Sequence, residues 1–350
     1  MRNRLPGSST TPSAGRGLAH DLAISGEVHL VNHGERPNVV AGKMCLVPLG
    51  CHANGYNRLM PTAHVPVMPA EVIEWLNPQP GQTFVDGTLG GGGHTKRLAD
   101  AVGDGGLVVA MDRDPAALEE AERSLAGLPI KLAHGNYCEL PQLLGQLEIP
   151  GVQGILLDLG MSSDQLADRE RGFSFDADGP LDLRLDPTNG EPAWQLIERI
   201  DERRLADVIY QFGEERHSRR IARRIVEARR QEPIRTAGQL AEIVRRAVPR
   251  NRDRQRIDPA TRTFQALRIV VNDELVSLDK ALHKLPDCLL SGGRLAVISF
   301  HSLEDRRVKQ AFRDDPRWLA LTRRPITASE AERTANPRAR SAKLRVAQRA

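Results

Sequence analysis

From Val67 onward, apolar runs and amphipathic stretches alternate along the chain. AEVIEWL (70–76) has helical spacing, TFVDGT (83–88) reads as a buried strand, and HTKRLADAV (94–102) returns to helical spacing. GLVVAMDRD (106–114) is a second strand. PAALEEAERSLAGL (115–128) is an amphipathic helix with proline in its first turn. IKLAHGN (130–136), the helical CELPQLLGQL (138–147) and VQGILLDLG (152–160) continue the rhythm. Apolar strands alternating with helices predict an α/β fold: a parallel sheet with helices on both faces.

After Gly160 the rhythm breaks. GFSFDADGPLDLRLDP (172–187) is rich in turn residues, and arginine-rich helical patterns run from Pro192 to Val248. The α/β pattern resumes with a helix over NDELVSLDKALHKLPDCL (272–289) and a fifth strand, GRLAVISF (293–300). LALTRRPITAS (319–329) and AKLRVAQRA (342–350) read as two antiparallel edge strands. The expected organisation is one α/β domain over 61–164 and 261–350, interrupted by a helical insertion at 165–260. Residues 1–60, rich in Gly, Ser, Pro and Asn, read as a poorly ordered N-terminal extension. Met60 directly precedes the patterned region, which leaves a later start open.

Composition narrows the class. A hydrophobic share of 40% and a charged share of 27% are those of a water-soluble globular protein. No apolar run reaches the roughly 18–20 residues of a membrane span, and the first residues lack an apolar secretory core. Four scattered cysteines without a CxxC pair suit a reducing cytoplasm. Cys45, Cys51 and His52 match no zinc spacing, so no metal is expected. Charge is uneven: residues 201–256 carry 16 Lys and Arg against 9 Asp and Glu, and residues 306–350 carry 13 against 4. An acidic body with arginine-rich segments points to phosphate contacts at chosen surfaces, with a solvated helix face as the plain alternative.

The stretch VDGTLGGGGHT (85–95) carries the candidate chemistry. A run of glycines implies a backbone that bends sharply or approaches something closely. Asp86 precedes the run, and Asp112 ends the second strand 19 residues past Gly93. That is the separation of an acid that grips a ribose diol. A dinucleotide and S-adenosylmethionine both suit such a skeleton. Gly87 and Gly90 break the G-x-G-x-x-G fingerprint, and Asp86 would oppose a pyrophosphate. A sulfonium cofactor would instead benefit from Asp86 and Asp158, and the late antiparallel pair also favours it.

Further stretches fall at the same end of the sheet. LLDLGMSSDQL (156–166) supplies Asp158, Ser162, Ser163 and Gln165, and SFHSLEDR (299–306) supplies His301, which is equally readable as a capping or core histidine. DPATRTFQALRI (258–269) adds Arg262 and Arg268. Together with HVPVM, DGTLGGGGH, MDRDP, RGFSFDADGPLDLRLDP, FGEERHSRRIARRIV and NPRARSAKLR, these stretches resemble the ribosomal RNA small subunit methyltransferase H family, also called MraW. The resemblance runs in order from about His64 to Arg349.

It implies a class I (Rossmann-like) S-adenosylmethionine-dependent methyltransferase sheet with a helical insertion domain. The implied reaction is methylation of the exocyclic N4 amine of a cytidine in the decoding region of bacterial 16S rRNA. By motif matching, Gly92, Gly93, His94, Asp112, Asp158 and Gln165 would contact the cofactor. Tyr137, where the family often has Phe, would join them. A cytosine amine is a weak nucleophile, so an acceptor for its hydrogen is expected: Asp158, or a backbone group of Ser162 or Ser163. Phe173, Phe175 or His301 would stack on the unstacked base, with core packing the stronger reading for both phenylalanines. Arg219, Arg220, Arg223, Arg224 and Arg262 would hold rRNA phosphates. The partner implied is 16S rRNA or the small ribosomal subunit, in the cytoplasm and away from membranes; oligomeric state, a homodimer included, stays open. The rival classes are a nicotinamide-dependent dehydrogenase, a ribosome-assembly factor that keeps the pocket without turnover, and a methyltransferase acting on another RNA or a protein amine.

Overall fold

The central strands TFVD (83–86), LVVAMD (107–112) and VQGILLD (152–158) are largely apolar because both faces of the sheet are covered there, whereas the outer strand IKLAH (130–134) keeps Lys131 exposed. The computed structural model describes residues 65–174, 179–249 and 258–350. The expected extension over 1–60, with Cys45, Cys51 and His52, and the candidate Phe175 lie outside the described residues. Along the chain come α1 (Pro69–Leu76), β1 (Thr83–Asp86), α2 (Gly93–Val102), β2 (Leu107–Asp112), α3 (Pro115–Ser124) and β3 (Ile130–His134). Then follow α4 (Leu140–Gln146), β4 (Val152–Asp158) and the short α5 (Ser163–Ala167). Next come α6 (Ala193–Arg199), α7 (Glu202–Gly213), α8 (Ser218–Gln231), α9 (Ala237–Ala247) and α10 (Ala260–Val271). Finally α11 (Glu274–Lys284), β5 (Leu289–Ser299), α12 (Ser302–Asp314), β6 (Trp318–Ala320), α13 (Glu330–Ala335) and β7 (Lys343–Arg349) complete the described chain.

The strands form one sheet in the order β3-β2-β1-β4-β5-β7-β6, parallel except for β7, which runs antiparallel to both its neighbours. Strand residues alternate between two cores with period two. Val85, Val109, Ile155, Leu157 and Val297 pack with Leu143 of α4, Leu282 of α11 and Phe312 of α12. Phe84, Val108, Leu156, Ala296 and Ile298 face the opposite side, against Val72 of α1, Leu98 and Val102 of α2, and Leu344 and Val346 of β7. Burying each large aliphatic side chain contributes about 1.5–3 kcal/mol.

Two expectations about the sheet are corrected. The two late strands do pair antiparallel at one side of the sheet, but only β6 is an edge strand: β7 lies inside, between β5 and β6, and the regular part of the outer strand is only Trp318–Ala320. Pro325 lacks the N–H that a ladder needs, so LALTRRPITAS cannot pair along its length. The fifth strand begins four residues early, at Leu289, and reaches β4 through an irregularity before regular pairing resumes at Arg294 opposite Gly154. Gly292, with φ of 79°, makes that bend.

The arginine-rich segment folds around its own apolar cluster, in which Leu205, Ile209, Ile221, Ile225, Leu240 and Val244 meet Phe264 and Leu267 of α10. Residues expected to belong to the resumed α/β domain therefore pack with the helices. Gly213 ends α7 so close to α10 that a Cβ there would lie 2.5 Å from the Arg262 carbonyl oxygen. Asn272 joins this layer to the sheet. Its amide donates to the Leu183 and Arg268 carbonyls, its side-chain oxygen accepts from the Leu185 N–H, and its own carbonyl accepts from Arg113.

Close packing at the centre of the sheet is testable. A Cβ on Gly154 would sit 2.2 Å from a ring carbon of Phe84, which is fully buried and has nowhere to go. Gly154→Ala is expected to destabilise the protein by about 1–3 kcal/mol in urea denaturation, and Phe84→Leu in the same chain to recover part of that loss.

Candidate active site

Three neighbouring parallel strands end in aspartate, Asp86, Asp112 and Asp158, and the chain leaves each at the same edge of the sheet. The glycine loop 87–92 spans all three. Gly87 donates to the Leu156 carbonyl at 2.9 Å, and a Cβ on it would lie 2.6 Å from Leu157. Leu89 donates to the Met111 carbonyl at 2.8 Å, and Gly90 to Asp112 Oδ2 at 2.7 Å. Gly92 caps α2 with φ of 75° and has Leu125 against its α-carbon, so both conformation and space call for glycine.

The three carboxylates differ in what they touch. Asp86 is wholly buried, accepts from the Thr95 hydroxyl at 2.7 Å and the Thr88 N–H at 3.1 Å, and lines neither of the two clefts at these strand ends. It braces the loop from beneath, where the sequence suggested a place beside the ligand. Asp112 does both jobs: it accepts from Gly90 and from Asp114 N–H at 2.9 Å while lining the cleft. Asp158 has the fewest partners of the three. Its carboxylate sits 3.7 Å from His94 Nε2, and its Oδ1 has no hydrogen-bond donor.

Burial raises all three carboxyls above the ordinary range, Asp112 to about 6 and Asp158 to about 7. Arg338 partly opposes this at Asp158, while Asp86 adds to it. Burial also raises the Tyr137 phenol. A cation placed here would favour the ionised carboxylates; an added phosphate would meet acids where a pyrophosphate loop offers only amides.

The cleft encloses about 730 Å³, counted out to bulk solvent. Of the expected cofactor contacts, Asp112, Tyr137, Asp158 and Gln165 line it, and Gly93 and His94 line an adjoining side cleft of about 280 Å³. Gly92 lines neither. Gln165 is held by two bonds: its Oε1 accepts from Ser162 N–H at 3.0 Å, and its Nε2 donates to Asp114 at 3.1 Å. Asp114 in turn takes the Arg171 guanidinium at 2.9 Å.

The other candidates separate. Ser162 is the N-cap of α5: its hydroxyl accepts from Gln165 N–H, its N–H donates to Gln165, and its carbonyl accepts from Leu166. All three polar groups are engaged in starting that helix. The Ser163 hydroxyl accepts from Arg338. His301 caps α12, its Nε2 lying 3.1 Å from Glu304, and Glu304 lines the cleft while His301 does not. Phe173 is packed in the helical core beneath Arg171. Arg219, Arg220, Arg223 and Arg224 lie on the exposed face of α8, two of them in surface pairs, Arg223 with Glu202 and Arg224 with Glu227. Arg262 ties α10 to the α7–α8 corner through Glu214 and Glu215.

Sequence reasoning missed Arg113, Glu274, Glu304 and Arg338 at the site, although each stood inside or beside a quoted stretch. Arg268 forms a largely buried pair with Glu274 at 2.8 Å on the cleft wall. Among the described residues, Glu274, His301 and Glu304 bring ligand-type atoms within 4.8 Å of one another. Those carboxylates are already engaged, Glu274 by Arg268 and Glu304 by the N–H groups of Phe300 and His301.

Residues 61–350 match the MraW methylase family. The chain is 52% identical over 299 residues to the ribosomal RNA small subunit methyltransferase H of Rhodopirellula baltica, covering 82% of this chain and 92% of that one. It is 50% identical over 306 residues to the protein of the same name from Syntrophotalea carbinolica, covering 82% and 98%. Among solved structures it is similar to an rRNA methylase from Streptococcus thermophilus, at 12% identity and a TM-score of 0.36 over 80% of this chain and 93% of that chain.

The raised carboxyls make stability depend on pH. The unfolded chain loses these protons near pH 4, whereas the folded, ligand-free protein keeps them to about pH 6 and 7. Stability is therefore expected to fall as pH rises through that window and to level off above it. Urea midpoints at pH 5 and pH 8 should show the fall, and Asp158→Asn should flatten much of it.

Proposed function

The chain belongs to the MraW methylase family, and on that premise we propose that it methylates the N4 amine of a cytidine in 16S rRNA, with S-adenosylmethionine as donor. The observation that carries the reading is Asp158. It is a desolvated carboxylate with an oxygen that lacks a donor, and it lies where the glycine loop, the side cleft and the main cleft meet. Its surroundings fit a cationic, phosphate-free donor, because a positive charge offsets the burial cost of Asp112 and Asp158. Gly93, His94, Asp112, Tyr137 and Gln165 would hold the donor.

Bound here, the donor supplies a methyl carbon already activated by its sulfonium. The protein then aligns the reactants, an effect that contributes up to about 7–11 kcal/mol. Asp158 Oδ1 accepts a hydrogen from the target amine, which frees the nitrogen lone pair from the ring and takes up the proton released on transfer. With a carboxyl near 7, Asp158 is available as a base at neutral pH. The Ser162 N–H and carbonyl are both engaged in starting α5, and Asp158 Oδ1 is without a donor, which makes Asp158 the preferred acceptor.

The exposed arginines of α8 would hold rRNA phosphates, exchanging weak surface pairs with Glu202 and Glu227 for charged ligands. The helical layer, α6 to α10, is the proposed RNA-recognition unit. We place the reaction on the small ribosomal subunit or its RNA, in the cytoplasm. Among the described residues no helix is long and apolar enough to cross a membrane.

Unmodified small subunits and naked 16S rRNA incubated with methyl-labelled donor should become labelled at the N4 of a single cytidine. Label on another base or on protein would overturn the acceptor; donor binding without transfer would point to an assembly factor. Asp158→Asn should weaken donor binding and, at saturating donor, still lower the transfer rate by about 10²–10⁴. Replacing Arg219 and Arg220 by Ala should weaken RNA binding and reduce the log–log salt slope by roughly 1–2.

A further inference from the structure

Arg338 lies far along the chain from the strand ends, in the 3₁₀ turn Pro337–Arg340 between α13 and β7. Its guanidinium reaches the loop that follows β4. One nitrogen donates to the Ser163 hydroxyl at 3.2 Å and the other to the Met161 carbonyl. The same side chain lines the side cleft with His94, Asp158 and Ser162.

The turn that carries it is tied down from the other side. The Asn336 side chain accepts the Arg338 N–H at 3.2 Å and donates to the Val65 carbonyl at 3.2 Å. Glu332 accepts from Met68 N–H at 2.6 Å, and Pro66 in the same strand of chain packs against Gly93 at the start of α2. The C-terminal segment thus bridges the entry to the glycine loop and the exit from β4, and Arg338 is the part that faces the site.

Charges reach Asp158 from four elements. Asp86 on β1 and Glu304 on α12 oppose its ionisation, and Arg338 favours it. His94 on α2, 3.7 Å away, adds positive charge only when protonated. Asp164, on α5, acts on Arg338.

We propose that Arg338 is a positioning residue for methyl transfer: it fixes the 161–163 loop through its forked donors and supplies the positive charge beside Asp158. This rests on the role given to Asp158 above. A guanidinium suits both tasks, since its planar fork bonds two acceptors at once while its charge persists at any working pH.

Two variants of the full chain separate the tasks. Arg338→Gln keeps hydrogen-bond donors and removes the charge; Arg338→Lys keeps the charge and removes the fork. In Arg338→Gln the pH midpoint at which the ligand-free protein loses stability, and the acid limb of the kcat profile on small subunits, should both move up by about half a unit or more. In Arg338→Lys both midpoints should stay within about 0.2 units of wild type, while kcat falls roughly tenfold with donor KM nearly unchanged. Unmoved midpoints in Arg338→Gln would overturn the charge role, and wild-type kcat in Arg338→Lys would overturn the positioning role. The stability profile needs no turnover, so a wild-type protein that transferred no methyl group would overturn the function and with it the positioning role, while the charge role of Arg338 would still be decided.

Discussion

Everything at the site depends on one electrostatic constraint: three acidic residues end adjacent parallel strands and are taken out of water together. Strands in a parallel sheet sit within about 5 Å of their neighbours, so acids at their ends converge. Carboxylates so placed lose hydration and repel one another. The glycine loop answers this with the N–H groups of Thr88 for Asp86 and of Gly90 for Asp112, while the Thr95 hydroxyl on α2 adds a donor for Asp86 and the turn into α3 adds one for Asp112. Asp158 receives less, and the imbalance left there is what a cationic donor and an amine hydrogen would relieve.

The helical layer matters because it closes the far wall of the cleft. Leu185, Arg268 and Glu274 reach it from segments that join helices to sheet, and Asn272 holds those segments in register with Arg113 at the end of β2. A single buried amide with every polar group engaged links the two layers. Losing it would leave carbonyls and N–H groups without partners on both sides.

Much of the fold was legible because its signals are local. Continuous apolar strands, proline at the start of α3 and the glycine run each follow from backbone chemistry within a few residues. The acids at 86, 112 and 158 were legible as strand ends for the same reason. Less legible were features decided by a distant partner. Phe173 and Phe175 look alike in sequence, and Phe173 is core because α6 to α10 surround it. Ser162 reads as a catalytic candidate, and His301 equally as a site or a capping residue, until Gln165 and Glu304, each three residues on, are seen to engage them as helix caps.

By itself, the sequence determined the alternation of strands and helices, the place of the glycine loop and the family the chain resembles, since each is written in contiguous residues. Only the tertiary structure decided which of those residues meet. It set Asp86 beneath the loop and Asp158 beside the cleft, although both are strand-end aspartates. It placed β7 between β5 and β6, and it brought Arg338 back to a loop some 175 residues earlier. The reason is physical: a residue's electrostatic task is set by how much water and which charges surround it, and that environment is assembled from segments far apart in the chain.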